Sequence, residues 1–119
     1  GIPAEPLFRS MGIMTFSMGA SLLDAVVLSV VQKEGADGSY GYKITQDVRS
    51  VMDVSESTLY PVLRRLQKDE CLETYDQAFQ GRNRRYYKIT VGGAMLLDNY
   101  RREWAEYKTK VDHILMGTE

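Results

Sequence analysis

Over residues 22–31 nearly every position is apolar: Leu22, Leu23, Ala25, Val26, Val27, Leu28, Val30 and Val31. Flanked by Ser21 and followed by Gly35, the run predicts a helix of about three turns stopped by glycine. A helix apolar almost all round must be covered on more than one side. In a chain this small one cover is its own core, and a second subunit supplies the other. The abundance of valine keeps a buried strand as the competing reading. Residues 35–39 form a turn, and Tyr40-Gly-Tyr opens a second helical stretch with apolar spacing at Ile44, Val48 and Val51. The polar residues Lys43, Gln46, Asp47 and Arg49 fill the spaces between them.

After a break at residues 53–57, Leu59, Val62, Leu63 and Leu66 give the i, i+3, i+4, i+7 pattern of a third helix. Ser55 or Ser57 caps it. With Ser55 as the cap, Val54 and Leu59 form a hydrophobic staple. Proline in a helix interior costs roughly 3 kcal/mol, so Pro61 favours the later cap and a late or loosened start. Beyond Cys71 the period drops to two, and a turn around residues 80–83 leads into a segment rich in β-formers, which predicts a β-hairpin. From Thr90 to about residue 116 the pattern is helical again. Leu97, Tyr100, Trp104, Tyr107, Val111 and Ile114 are spaced 3, 4, 3, 4, 3. A mean of about 3.5 marks a seam against a partner helix, although two and a half heptads fall short of a free-standing coiled coil.

The order α-α-α-β-β-α predicts a mainly α (α+β) fold: a winged helix-turn-helix over residues 20–90, followed by a C-terminal dimerisation helix over 91–117. Residues 1–10 carry two prolines, precede candidate start methionines at Met11 and Met14, and read as an appended remnant or disordered tail.

Composition narrows the function classes. The chain has 119 residues, 44% hydrophobic and 26% charged, with a net charge of −1. No apolar run approaches the roughly 20 residues of a membrane helix, so the cytoplasm is the expected address. A single cysteine, Cys71, and a single histidine, His113, provide no disulfide framework, no metal-ligand spacing and no nucleophile–base pair. No enzyme and no cofactor is expected. The basic residues cluster locally: Arg82, Arg84, Arg85 and Lys88 lie together with no acid among them. A local basic edge on a neutral protein suits phosphate contact.

With the apolar stripe of the third helix inward, Ser57, Pro61, Arg64 and Lys68 fall on the opposite side, and Tyr60 and Arg65 on the flanks. Glu56 is the one carboxylate, near the start. This set can donate to bases and phosphates from a major groove, and a flexible basic loop at the hairpin tip, residues 81–85, resembles a wing. Each feature also has a plainer reading. The helix residues form a solvated face, and the hairpin arginines form a solubilising edge that blunts sheet-to-sheet pairing. The topology brings both features side by side, which favours DNA.

The segments LLDAVVLSVV (22–31), YGYKITQDV (40–48), SESTLYPVLRRLQKDECLE (55–73) and GRNRRYYKIT (81–90) resemble the PadR family of bacterial transcriptional regulators, in its short form. The resemblance implies a winged-helix homodimer whose first and last helices, with Leu22 and Val26 on the first, build the interface. It also implies a repressor in which Tyr42, Ser57, Thr58, Tyr60 and the basic wing approach operator DNA. Tyr60 alternatively fills the gap between helices. Three departures stand out: DECLE (69–73) where a glycine before an apolar residue is usual, a wing without a Gly-Pro or Gly-Gly pair, and an extra glycine, Gly92, beside Gly93. The drug-sensing members stack planar aromatic compounds on a tryptophan at the place of Trp104, which implies an effector site of Trp104, Tyr100 and Tyr107. The alternative is that Trp104 is an interface anchor only. The rival from another class is a winged-helix protein-interaction adaptor that does not touch DNA.

Overall fold

A computed structural model describes residues 19–117, so the expected tail at 1–10 lies outside the described residues. The elements follow in the order α1 (Ala20–Lys33), β1 (Ser39–Tyr40), α2 (Gly41–Arg49), α3 (Glu56–Lys68), β2 (Leu72–Phe79), β3 (Arg82–Ile89) and α4 (Val91–Met116). The first apolar run is a helix and not a strand. It carries two stripes of the same spacing. Asp24, Val27, Leu28 and Val31 are buried in the domain, whereas Leu22, Ala25, Val26 and Ser29 line an open groove against α4.

The core joins the inner stripe of α1 to Ile44 and Val48 of α2, Leu59, Leu63 and Leu66 of α3, and Cys71, Leu72, Tyr87 and Leu97. Val62 is only partly buried, and Val51, beyond the end of α2, is exposed. The expected two-stranded hairpin is a three-stranded antiparallel sheet of order β1-β3-β2. Ser39 pairs with Tyr87 and Tyr40 with Tyr86, within what the sequence presents as a turn ending at residue 39. A two-residue strand has no periodicity to detect. It forms because Gly38, at φ +70°, lets the chain press against β3: a Cβ there would lie 1.9 Å from the Tyr87 carbonyl oxygen.

α3 begins earlier than its proline suggests. Ser55 is the cap, its Oγ accepting from the Thr58 N–H at 3.2 Å. Val54 packs against the core cluster to which Leu59 belongs, consistent with the staple. Pro61 therefore lies inside the helix, where it cannot donate to the Ser57 carbonyl. Ser57 is exposed, so water reaches that acceptor and the penalty is small.

The wing also differs from expectation. Gln80 and Gly81 have φ of +51° and +77°, both positive as in a type I′ turn, and Phe79 pairs with Arg82 directly across it. The basic residues are consequently in paired strand, not in a flexible loop, and alternate between two faces.

α4 is capped by Thr90, whose Oγ1 accepts from the Gly93 N–H at 2.9 Å and donates to the Glu70 carbonyl at 2.6 Å. Its expected seam is divided by burial. Leu97 is 1% exposed and belongs to the core, at the floor of the α1–α4 groove. Tyr100 is half-buried against the same core. Further along, Trp104 is 37% exposed and Ile114 83%. The cause is length: α4 runs for 26 residues, and only its first turns have α1 beneath them.

Candidate nucleic-acid interface

Three elements converge on one recess. Its walls are Tyr40, Gly41 and Tyr42 at the start of α2, Tyr60 of α3, and Asn83, Arg84, Arg85 and Tyr87 of β3. Tyr42 is 56% exposed at its rim. Gly41 lets Tyr60 lie close, since a Cβ at Gly41 would meet the Tyr60 ring at 3.3 Å. Tyr60 both packs on the core and borders the recess, so the two sequence readings of it are compatible. Burial holds the Tyr87 phenol above its ordinary pKa, against the lowering influence of Arg85 and Arg64.

On α3, Ser57, Thr58, Pro61, Arg64 and Lys68 are all exposed, as the periodicity predicts. The Ser55 hydroxyl lies 2.9 Å from that of Ser57 and 3.1 Å from that of Thr58, a cluster of donors at the helix start. The one carboxylate there, Glu56, accepts from Gln46 at 2.9 Å and lies 3.5 Å from Arg49, so its charge is largely answered within the protein.

Arg65, expected on the flank of α3, has a partner within the domain. Its Nη2 donates to Oδ1 of the buried Asp24 at 2.6 Å, tying α3 to α1. That hydrogen bond raises the guanidinium pKa still further. Asp24 sits on the inner stripe of α1, so one end of the Arg65 guanidinium is anchored to that helix while the side chain remains about half exposed. Periodicity placed it on a flank and could not foresee this partner, 41 residues away in sequence.

The strand register sorts the basic residues of the wing. Arg82, Arg84, Tyr86 and Lys88 share a face with Tyr75, Gln77 and Phe79, while Arg85 lies on the other face opposite Asp76. Arg85 Nε approaches Asp76 Oδ1 at 3.4 Å, both exposed. Arg84 lies over the rings of Tyr40 and Phe79 at 3.8 and 3.6 Å. Tyr40 and Phe79 were not recognised from sequence, because nothing in a linear pattern pairs them with Arg84.

The second recess is the α1–α4 groove, an open, mainly apolar cavity of about 290 Å³ lined by Leu22, Ala25, Val26, Ser29, Leu97, Tyr100, Arg101 and Trp104. Trp104 and Tyr107 are neighbours, with ring centroids 6.2 Å apart. Of the expected effector residues the groove brings Tyr100 and Trp104 together, and Tyr107 lies one step beyond. Burial raises the Tyr100 phenol pKa, Asp24 adding to the shift and Arg65 opposing it. Among the described residues no group of His, Cys, Asp and Glu could hold a metal ion, and no helix is long and apolar enough to cross a membrane.

Residues 27–99 match the transcriptional regulator PadR-like family. Transcriptional regulator Rv3488 of Mycobacterium tuberculosis is 34% identical over 88 residues, covering 73% of this chain and 82% of that protein. Among solved structures, smu.1704 from Streptococcus mutans is 39% identical with a TM-score of 0.75, over 90% of this chain and 96% of that one. A PadR-like transcriptional regulator from Bacillus cereus is 30% identical with a TM-score of 0.71, over 82% and 95% respectively.

Proposed function

Because the chain belongs to the PadR-like family of transcriptional regulators, and so is a DNA-binding regulator and not an enzyme, we propose that it acts as a homodimeric repressor. It binds an approximately palindromic operator through α3 and the wing, in the cytoplasm, where the DNA is. The observation that carries this reading is the convergence of Tyr42, Tyr60, Arg84 and Arg85 on one recess beside the exposed face of α3. Ser57, Thr58, Arg64 and Lys68 enter the major groove, while Arg82, Arg84 and Arg85 reach the backbone or the adjacent minor groove. Arg65 is not in the contact set, because it is committed to Asp24.

The dimer reading is supported by apolar surface that stays partly exposed in the single chain, Leu22 and Val26 on α1 and Val111 on α4, together with the exposed Ile114 and a Trp104 that is 37% exposed. Two chains joined along these faces hold two reading heads at a fixed separation. That geometry selects half-sites about 10 bp apart, or a multiple. The groove beside Trp104 offers an apolar slot for a planar aromatic effector. Such a ligand releases DNA only by preferring one setting of the two chains over another.

The test begins with duplexes enriched from a random library on the purified protein. The expected product is a two-fold related sequence bound by a dimer, with affinity falling by orders of magnitude between low and moderate salt. A monomer indifferent to every duplex at any salt would instead match a protein-interaction adaptor. Planar aromatics are then titrated against Trp104 fluorescence and affinity for the enriched duplex. Quenching with unchanged affinity removes the regulatory role of the groove.

A further inference from the structure

Two neighbouring arginines of the wing are held in opposite ways. Arg85 faces Asp76 at 3.4 Å, so its charge is partly answered. Arg84 pairs with no carboxylate among the described residues. It is held instead by its faces, between the ring of Tyr40 at 3.8 Å and that of Phe79 at 3.6 Å. Aromatic faces attract a guanidinium through their quadrupole, and they leave its charge and its N–H edge available. Phe79 is 42% exposed at the last position before the turn, with its ring laid against Arg84. Tyr40 is anchored in turn: it meets Tyr86 edge-on at 5.8 Å, Tyr86 stacks on Tyr75 at 5.2 Å, and the Tyr75 hydroxyl donates to the Asp37 carbonyl at 2.7 Å. The ladder therefore ties Arg84 to the body of the domain just before α2.

We propose that Phe79 and Tyr40 form a clamp that fixes Arg84, its charge uncompensated, to bind a backbone phosphate of duplex DNA at the rim of the recess shared with Tyr42 and Tyr60. Phe79 is thus a positioning residue for DNA binding, acting through Arg84. An unheld arginine loses much of its rotamer freedom when it meets a phosphate; a clamped one has already lost it. The inference rests on the DNA-binding role of the wing given above.

The experiment is a double-mutant cycle on the intact protein with two probes: the duplex enriched on the wild type, and a mixed-sequence duplex of equal length. F79L keeps apolar bulk but removes the ring, and F79W restores a ring. Thermal unfolding of each variant reports whether the fold is retained. F79L is expected to weaken binding about fivefold on both duplexes, about 1 kcal/mol, with an unchanged salt slope, because no charge is lost. R84A is expected to flatten the slope by about one phosphate contact. F79W should bind like the wild type, and F79L added to R84A should change nothing further. The clamp is overturned if F79L binds as tightly as the wild type. It is equally overturned if F79L costs as much in the R84A background, for then Phe79 touches DNA itself. A wild type that shows no salt-dependent binding to either duplex removes the DNA-binding role and the clamp with it; a salt-dependent wild type with an inert F79L removes the clamp alone.

Discussion

Glu70 has a φ of +64°, in the left-handed region that side chains other than glycine enter at a cost. The position is forced by the end of α3: the Cys71 N–H bonds the Leu66 carbonyl at 2.8 Å and the Glu70 N–H bonds the Gln67 carbonyl at 2.9 Å, the two bonds of a Schellman motif. The family resemblance marked the segment DECLE (69–73) as unusual, and the backbone locates the strain at Glu70. E70G should raise stability by about 1 kcal/mol in urea unfolding; an unchanged midpoint would mean that the turn is relaxed with glutamate in place. The paired glycines of α4 make a sharper contrast. A Cβ at Gly93 would fall 2.1 Å from the Cys71 carbonyl oxygen, whereas at Gly92 the nearest atom is an ordinary 3.7 Å away. G92A should therefore stabilise by up to about 1 kcal/mol, while G93A should destabilise by at least about 2 kcal/mol, the usual scale of overpacking. The same measurement on both variants checks the pair.

At the scale of elements, the Asp24–Arg65 pair is the polar tie between α1 and α3. Removing the cation leaves a buried carboxylate without its partner. Because Arg65 is half exposed, water recovers part of the loss, and R65A should cost about 1–2 kcal/mol of stability, less than a fully buried pair. Its effect on DNA should have a different signature from that of R64A. R64A should flatten the salt dependence of binding by about one contact with little change in stability. R65A should lower stability and leave the slope alone. Identical slopes for the two variants would refute the separation of roles along α3. The sheet shows the same lesson: β1 exists because β3 offers it a free edge, and its two residues place Tyr40 over Arg84.

For the whole molecule, the proposed dimer ties assembly to DNA binding through α1 and α4. I114E placed late on α4, far from the recess, should shift the protein towards monomer in sedimentation and weaken binding to a two-half-site duplex. Binding to an isolated half-site should be little affected. Burial also sets a pH limit. Cys71, Tyr87 and Tyr100 all have pKa values raised mainly by desolvation. A raised value in the folded state gives stability that is complete below the unfolded pKa and is lost as pH rises through the folded one. Stability should thus be level from pH 7 to about 9, near the ordinary thiol value, and fall through pH 10 and above, where unfolded tyrosines ionise. Y87F and Y100F should each lessen the alkaline loss in urea titrations; curves parallel to the wild type would place its origin elsewhere.

Local chemistry by itself determined most of the architecture. Apolar spacing marked α2, α3, α4 and the hairpin, because burial of one stripe or one face leaves a period that the linear order preserves; the first run, apolar nearly throughout, left helix and strand both open. The same periodicity placed Ser57, Arg64 and Lys68 outward on α3 and marked the stretch from Leu97 to Ile114 as needing a cover. Tertiary structure decided what depends on residues far apart in sequence. It committed Arg65 to Asp24, drew Leu97 into the core, added β1, and set Arg84 between two rings. Each of these is a contact between elements, whose energy depends on distances that no spacing along the chain encodes.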